Sequence, residues 1–203
     1  VPFTVRAFDG ERPVISGAHP IADWRPASEV GELPGQIPAE AVGHLWVADL
    51  PPHPAGGRPW RFHVLFDGDG ALPRAAIPDI DFDADREADP QTLPFTPGSL
   101  DPPPSLELVE LSFAASHNFV WHILPVAEID NERGLLRTAV PAGYPLRRTH
   151  RGLSDPDAQR IGLENVPAGL TAPGTWWLDT TGNRLWLWPR TGDVPAGIEA
   201  PAL

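Results

Sequence analysis

The composition of this 203-residue chain favours one sizeable β-rich domain, because 27 prolines and 19 glycines leave little room for long helices while 41 % hydrophobic residues suffice for a core. All 15 basic residues are Arg against 27 acidic ones, and the resulting net charge of −12 disfavours nucleic acids and anionic membranes as partners. The absence of Cys excludes disulfides, a thiolate nucleophile and a cysteine-ligated metal.

The chain also lacks Met, and its first residue is Val1. We therefore expect it to be an excerpt of a longer protein rather than a processed product. No apolar run has the ~20 residues of a membrane span, and none has the pattern of a signal peptide.

The first half of the chain has the strand and turn spacing of an antiparallel sandwich or barrel. Apolar runs closed by Gly, Pro or Asp predict strands at 3–8, 13–17, 44–50, 61–66 and 72–77. Residues 24–43 are polar with scattered prolines and predict a surface loop. His44 and His63 are interpreted as strand residues bonded to the backbone.

The acidic run at 79–85 resembles a calcium-binding loop only in part. A loop of that kind needs Gly at its sixth position and a bidentate Glu at its twelfth, where this chain has Ala84 and Pro90. We therefore predict that this run binds no ion tightly. Residues 86–105 contain several prolines and predict a long irregular connection.

The second half predicts further strands and ends in the densest apolar segment. Residues 106–113 suit a strand buried on one face, and the nearly continuous apolar run at 119–126 predicts a central strand. A hairpin with a charged turn follows at 129–136. Residues 144–160 are loop-like, and residues 196–203 suit the opening of another strand.

A hairpin rich in tryptophan is predicted at 175–188, and the fold is expected to form around it. Strands 175–178 and 184–188 flank the turn 179–183. Trp176, Leu178, Leu185 and Leu187 take one phase of the alternation, whereas Trp177, Trp186 and Trp188 take the other. A hairpin that is apolar on both faces must be covered on both. The predicted fold is therefore all-β, with little helix and two antiparallel sheets whose core surrounds Trp121, Trp176 and Trp186.

Seven parts of the chain, taken in order, form a recognisable series: 10–17, Trp24, 45–48, 114–118, Glu164-Asn165-Val166-Pro167, 173–179 and 182–187. This series resembles the N-terminal part of bacterial right-handed parallel β-helix proteins. Within that group it is similar to the secreted glycoside-hydrolase-like proteins whose relatives include fucosidases and xylanases of family 141. The match spans nearly the whole chain and is most specific in the tryptophan hairpin. Trp177, Trp188 and a turn that is one residue short depart from the family's pattern.

The resemblance implies a domain division and a setting. Residues 1–23 and 191–203 would belong to the β-helix, and residues 24–190 would form a β-sandwich inserted between its early rungs. A secreted or extracellular protein that meets a polysaccharide or oligosaccharide is implied, with the rest of the β-helix as the partner in the parent chain. No cofactor is implied, and the catalytic carboxylates are expected on later rungs.

The candidate site residues follow from the resemblance and from residue chemistry. Trp177, Trp188, His117 and Trp121 are the candidates for carbohydrate binding, since aromatic faces suit a pyranose ring. No catalytic residue is assigned, because Ser116 and His117 lack a Gly-x-Ser-x-Gly elbow. No metal site is assigned either, because the five-residue spacing of His117 and His122 places them on opposite faces of a strand.

Three functions remain open at this point. The first is an accessory, non-catalytic β-sandwich that shapes the substrate groove of a carbohydrate-active β-helix enzyme. The second is a carbohydrate-binding module with an exposed planar row of Trp. The third is a stand-alone polysaccharide-degrading enzyme, which would need two carboxylates facing one another across a cleft, ~5–5.5 Å apart for retention or ~6.5–9.5 Å for inversion.

Overall fold

A computed structural model describes residues 4, 6–13, 16–81, 83, 89–114, 121–143, 146 and 161–202. Within these ranges the chain is all-β, which confirms the predicted class, and its helical segments are 3-10 turns of three residues. The strands are β1 (Ala18–Pro20), β2 (Arg25–Pro26), β3 (Trp46–Asp49), β4 (Leu65–Asp67), β5 (Gly70–Leu72), β6 (Ala76–Ile77), β7 (Thr92–Pro94), β8 (Glu110–Ala114), β9 (Trp121–Asp130), β10 (Leu135–Thr138), β11 (Ile161–Glu164), β12 (Trp176–Asp179), β13 (Arg184–Leu187) and β14 (Glu199–Pro201).

The described strands form three sheets rather than the two expected. Their orders are β12-β13-β3-β2, which we call the tryptophan sheet, β1-β14-β4-β5, and the six-stranded β6-β11-β8-β9-β10-β7. Neighbouring strands within each sheet run antiparallel. The architecture is that of a β-sandwich with a further sheet beside it.

The tryptophan sheet is buried on both faces, in the two phases that the sequence predicts. Trp176 and Trp186 are 0 % exposed. The first face packs against the sheet of β1, β14, β4 and β5 through Leu65, Leu72 and Ala200. Trp60 joins this core, and its indole N–H donates to the carbonyl of Pro201 at 2.8 Å.

The second face of the tryptophan sheet is covered by the segment between β2 and β3. Here Ala27, Ala41 and Leu45 are buried, and they pack with Trp177 and Trp186. Segment 24–43 is therefore more than a surface loop. Its small apolar residues are spaced too irregularly for a periodic pattern, so the sequence signal for this cover was weak.

The six-stranded sheet has a separate core on one face. Leu111 and Phe113 of β8, Leu124 of β9 and Leu136 of β10 meet Phe95 there. Part of the predicted irregular connection 86–105 forms β7 at the sheet edge and covers this core. Phe95 is 0 % exposed. The proline-rich connection therefore contains a segment that is packed into the core.

Trp121 is not in the core, and the prediction that placed it there is wrong. It lies at the start of β9 on the outward phase and is 57 % exposed, whereas Leu124 and Val126 on the other phase are buried. A continuous apolar run does predict a central strand, and β9 is one. The run cannot tell which phase faces solvent, because both phases carry large apolar residues.

The six-stranded sheet joins the tryptophan sheet through the end of β11. Asn165 is buried with φ of 60°, a left-handed conformation that Asn tolerates better than most residues. Its Oδ1 accepts from the backbone N–H of Leu178 at 3.0 Å, and its Nδ2 donates to the carbonyl of Leu178 at 3.2 Å. This residue of the Glu164–Pro167 motif thus anchors the outer edge of β12, beside residues 73–75, which bond to Trp176 on the same edge.

The chain segments at either end come together in one sheet. β1 and β14 pair antiparallel, and β14 also pairs with β4. These strands show antiparallel pairing and no rung of a parallel β-helix in the part of the chain that is described. The division into 1–23, 24–190 and 191–203 stays a prediction.

Candidate functional site

An open cleft lies at the end of the tryptophan sheet where β3 begins and β13 ends. Its volume is about 420 Å³, within the ~300–1,000 Å³ that small-molecule sites occupy. We call it the Trp188 cleft. Its walls include Gly43, His44, Trp46, Pro173, Trp188 and Arg190.

Trp188 is fixed in the cleft by its backbone and by a stacked ring. Its N–H donates to the carbonyl of Thr175 at 3.0 Å, and its carbonyl accepts from Gly174 at 2.7 Å, so pairing with the neighbouring strand continues past β13. The imidazole of His44 stacks on the indole with centroids 4.7 Å apart and planes 4° from parallel. The interpretation of His44 as a strand residue is wrong, because it ends the 3-10 helix Val42–His44.

Several polar atoms of the cleft bond to none of the residues that the structure describes. Within the described chain, the indole N–H groups of Trp46 and Trp188 and the imidazole nitrogens of His44 make no hydrogen bond. His44 is exposed, and both indoles are half-buried. The cleft therefore combines aromatic surface with hydrogen-bonding groups that are free to meet a ligand.

Arg190 forms one wall of the cleft and is held from the opposite side. Its Nε lies 3.2 Å from Oδ2 of Asp67, and its Nη2 donates to the carbonyl of Ala71 at 2.8 Å. Its stem passes Gly174, where φ is +89° and a Cβ would approach the Arg190 Cγ to 3.3 Å. Nη1 bonds to none of the residues that the structure describes and completes the polar rim.

Of the residues nominated from sequence, Trp188 lines this cleft, whereas Trp177 and Trp121 lie elsewhere. Trp177 is 4 % exposed and packs against Trp186 with ring centroids 6.4 Å apart, so its ring belongs to the core. His117 lies outside the described residues. Trp46, His44 and Arg190 were not nominated. The sequence signal that could have found two of them was their position at the ends of strands. Trp46 is the first residue of a strand, and Arg190 follows the Trp188-Pro189 pair at the end of another.

Trp121 presents a second exposed aromatic surface, on the outer face of the six-stranded sheet. Its indole N–H donates to the hydroxyl of Ser112 at 3.0 Å, which holds the ring above β8. Ile123, also on this face, is 53 % exposed. This surface is apolar, and the one polar atom of the indole is already bonded.

Two carboxylates meet at the junction between the sheets, but one arginine binds both. Glu110 of β8 and Glu164 of β11 are cross-strand neighbours. Nη1 of Arg74 bonds to Oε2 of Glu110 and lies 3.3 Å from Oε2 of Glu164. The Arg74 side chain is 7 % exposed, and its Nη2 donates to the carbonyl of Leu108 at 2.8 Å.

This arrangement is suited to holding the sheets together. A glycosidase pair leaves room for the substrate between its carboxyl groups, whereas a guanidinium bridges Glu110 and Glu164. Neither glutamate lines the Trp188 cleft. His63 lies at the edge of the cluster, with Nδ1 3.3 Å from Oε2 of Glu110.

A separate cleft of about 380 Å³ is acidic. Asp79, Asp81 and Asp101 line it together with Gln36, whose amide donates to the carbonyl of Pro102 at 2.8 Å. The described residues contain no group of three or more His, Asp or Glu placed to hold a metal ion. Three residues of the acidic run, 82, 84 and 85, lie outside the described ranges. The expectation that the run binds no ion stays a prediction.

The comparisons with known proteins give a likeness of fold. No protein-family model matches the sequence, and no curated protein matches it. Among solved structures, a glycoside hydrolase is similar to this chain with a TM-score of 0.54 and 20 % sequence identity. The match covers 91 % of this chain and 31 % of that protein, so the chain spans less than a third of its neighbour's length.

The helices of the described part of the chain were also compared with the length and hydropathy that a membrane span requires, and none of them meets both.

Proposed function

We propose that this chain is an accessory, non-catalytic β-sandwich region of a longer, secreted carbohydrate-active enzyme, and that it contributes one wall of the substrate groove. The observation that carries the proposal is the structural match, which takes in 91 % of this chain but 31 % of a glycoside hydrolase. A region that resembles a minor part of such an enzyme is best interpreted as an attachment to its catalytic portion. Its ligand is then a polysaccharide or oligosaccharide.

The geometry of the acidic residues supports a role without chemistry. The cross-strand pair Glu110 and Glu164 shares the buried guanidinium of Arg74. The general acid and the nucleophile of a glycosidase must both contact the sugar at the bond that is cleaved. Here an arginine occupies the space between the two carboxylates. The acids of the reaction would then lie in the rest of the parent chain.

The parallel β-helix is part of the proposal as the architecture of that remaining chain. Residues 1–23 and 191–203 would belong to it, and residues 24–190 would be the insert. β1 and β14 lie in these two flanking segments, and their pairing supports an insert because it holds the flanks side by side, with Ala18 opposite Pro201. A domain whose two ends leave the larger fold at neighbouring points can be inserted there with little distortion.

A second candidate, an autonomous carbohydrate-binding module, is favoured by the exposed aromatic rings. Trp121 is exposed on a sheet face, and Trp188 lines an open cleft. These rings lie on different sheets, so they do not form the planar row that a crystalline polysaccharide surface requires. A single-chain or single-ring ligand fits them better.

The test compares turnover in the 203-residue chain and in its parent chain extended beyond Leu203. Both are assayed on a panel of aryl glycosides and plant and bacterial polysaccharides. We expect hydrolysis by the extended protein and none by the 203-residue chain. Removal of residues 24–190 from the extended protein should raise KM for the polysaccharide more than it changes kcat for a small aryl glycoside.

One outcome would overturn the proposal. If the 203-residue chain turned over a substrate, and Glu110→Gln or Glu164→Gln abolished that turnover while the circular dichroism spectrum stayed unchanged, the domain itself would be the enzyme. Glu128→Gln is the matched control, because Glu128 pairs with Arg137 where both side chains are more than half exposed, outside the Arg74 cluster.

A further inference from the structure

We infer that the Trp188 cleft is the carbohydrate subsite of this region and that it binds a neutral pyranose ring. The inference rests on the proposed function, and it adds the location of the site and the class of sugar. It is carried by the joint placement of a fixed aromatic stack, a second half-buried indole and several unpaired hydrogen-bonding atoms around one opening.

The chemistry of the cleft matches both parts of a sugar ring. A pyranose presents C–H groups on its faces and hydroxyl groups at its rim. The stack of His44 on Trp188 and the indole of Trp46 offer apolar surface for the C–H groups. The free indole N–H groups and imidazole nitrogens offer donors and acceptors for hydroxyl groups, and leaving such atoms unpaired on ligand binding would cost affinity.

The site is also preorganised. The backbone of Trp188 is bonded on both sides, to Thr175 and Gly174, and its indole is stacked at 4° from parallel. Arg190 is held by Asp67 and the carbonyl of Ala71. Groups that are already fixed lose little conformational entropy when a ligand binds, which favours measurable affinity from a small contact area.

The charge around the cleft favours a neutral sugar over an acidic one. Among the described residues that line it, Arg190 is the one Arg, and Asp67 lies 3.2 Å from its Nε, so its charge is largely balanced. The whole chain carries a net charge of −12. A polyuronate or a sulfated chain would approach against this field, and its affinity would rise with salt rather than fall.

Two other surfaces fit a sugar less well. The acidic cleft beside Asp79, Asp81 and Asp101 has no aromatic residue among its lining residues. The Trp121 ring is exposed on the outer face of β9, and its indole N–H is already bonded to Ser112. Neither offers both an exposed ring and free polar atoms.

Affinity electrophoresis in gels that contain defined polysaccharides tests the inference. The gels contain neutral xylan, glucomannan or β-glucan, or acidic polygalacturonate, and the 203-residue protein is compared with Trp188→Ala, His44→Ala and Trp121→Ala. We expect retardation by a neutral polysaccharide that falls about tenfold or more in Trp188→Ala, the size of a binding hot spot. The loss should be smaller in His44→Ala, and Trp121→Ala should bind like the unchanged protein.

The outcomes separate this inference from the function on which it rests. Undiminished binding by Trp188→Ala and His44→Ala, or loss only in Trp121→Ala, would overturn the cleft and leave the accessory role in place. Preference for polygalacturonate would overturn the neutral class. Failure of the unchanged protein to bind any polysaccharide would overturn the inference, and the turnover comparison would still decide the proposed function. His44 is exposed, so His44→Ala reports on the cleft even if Trp188→Ala unfolds.

Discussion

The tryptophan sheet and the six-stranded sheet differ in how many of their faces are buried. The tryptophan sheet packs against a second sheet on one face and against segment 27–45 on the other, so every residue of β12 and β13 except Arg184 is buried. The six-stranded sheet packs on one face, and its other face leaves Trp121 and Ile123 in solvent. The strands of both sheets are rich in apolar residues. In the tryptophan sheet these residues are buried on both faces, whereas in the six-stranded sheet some of them face solvent.

This difference shows which Trp residues of the chain remain accessible to a ligand. A Trp in the interior of a doubly covered sheet is fully used in packing, as Trp176, Trp177 and Trp186 are, whereas Trp46, the first residue of β3, is half-buried. A Trp just past the end of that sheet, such as Trp188, keeps part of its ring accessible while its neighbours hold it rigid. A side chain at the boundary of the core can therefore be both rigid and exposed.

The largest effect is expected from truncating the doubly covered sheet. Trp176→Ala removes a ring that is fully buried, that contacts Phe62 at 5.6 Å between centroids and that donates to the carbonyl of Leu72 at 2.9 Å. We expect the free energy of unfolding to fall by about 3–5 kcal/mol, as for other buried aromatic truncations. Urea unfolding followed by far-ultraviolet circular dichroism measures it.

Trp121→Ala is the matched truncation on the exposed face. Surface substitutions usually change stability by less than about 0.5 kcal/mol, and this one should do so as well. Equal losses for Trp121→Ala and Trp176→Ala would contradict the contrast between the two sheets, because they would place Trp121 inside a packed interface.

A smaller effect is expected at the junction where the two regions meet. Arg74→Met keeps the apolar stem and removes the charge that binds Glu110 and Glu164. We expect a loss of about 3 kcal/mol in the free energy of unfolding, at the low end for breaking a buried ion pair because Glu164 is partly exposed. Urea unfolding at neutral pH measures the loss.

Arg137→Met is the control for that substitution. Arg137 and Glu128 form an ion pair at 3.2 Å in which both side chains are more than half exposed, and such pairs contribute little. The triple variant with Arg74→Met, Glu110→Gln and Glu164→Gln should recover part of the stability, because no uncompensated carboxylate remains at the junction. If Arg74→Met cost no more than Arg137→Met, the cluster would not join the sheets.

The smallest effect concerns the edge of the tryptophan sheet and depends on pH. Arg25, whose Nη1 lies 2.7 Å from Oδ2 of Asp49, lowers the pKa of Asp49 below its usual value, and Arg184 on β13 lowers it further. The folded state then holds the carboxylate ionised more readily than the unfolded state does. This stabilisation is complete above the unfolded pKa of ~3.9 and is lost as pH falls through the folded value.

Asp49→Asn should therefore cost about 0.2–1 kcal/mol at pH 7, as exposed pairs do. Its difference from the unchanged protein should shrink as pH falls from 5 to 3. Thermal unfolding of both proteins at several pH values measures it. Asp69→Asn is the control at an exposed turn, where Asp69 itself forms no ion pair with a described residue. A difference that grew towards low pH would contradict the assigned sign.

The sequence by itself determined the local β-structure of this protein. Alternation placed the residues of the tryptophan hairpin on two faces, and both sets occupy the faces predicted. The charged turn with its glycine, at 131–134, allowed the hairpin of β9 and β10 to be located from the sequence. These features depend on residues within about ten positions of one another, so period and turn chemistry were sufficient to find them.

Only the tertiary structure decided which apolar surfaces are covered and where a ligand can enter. Whether Trp121 is buried depends on what packs against β9, and whether Trp188 lines a cleft depends on His44, which is more than a hundred residues away along the chain. The pairing of β1 with β14 and the bridging of Glu110 and Glu164 by Arg74 are likewise long-range. Local patterns carry no record of such contacts, because a strand with two apolar faces can be buried on either or on both.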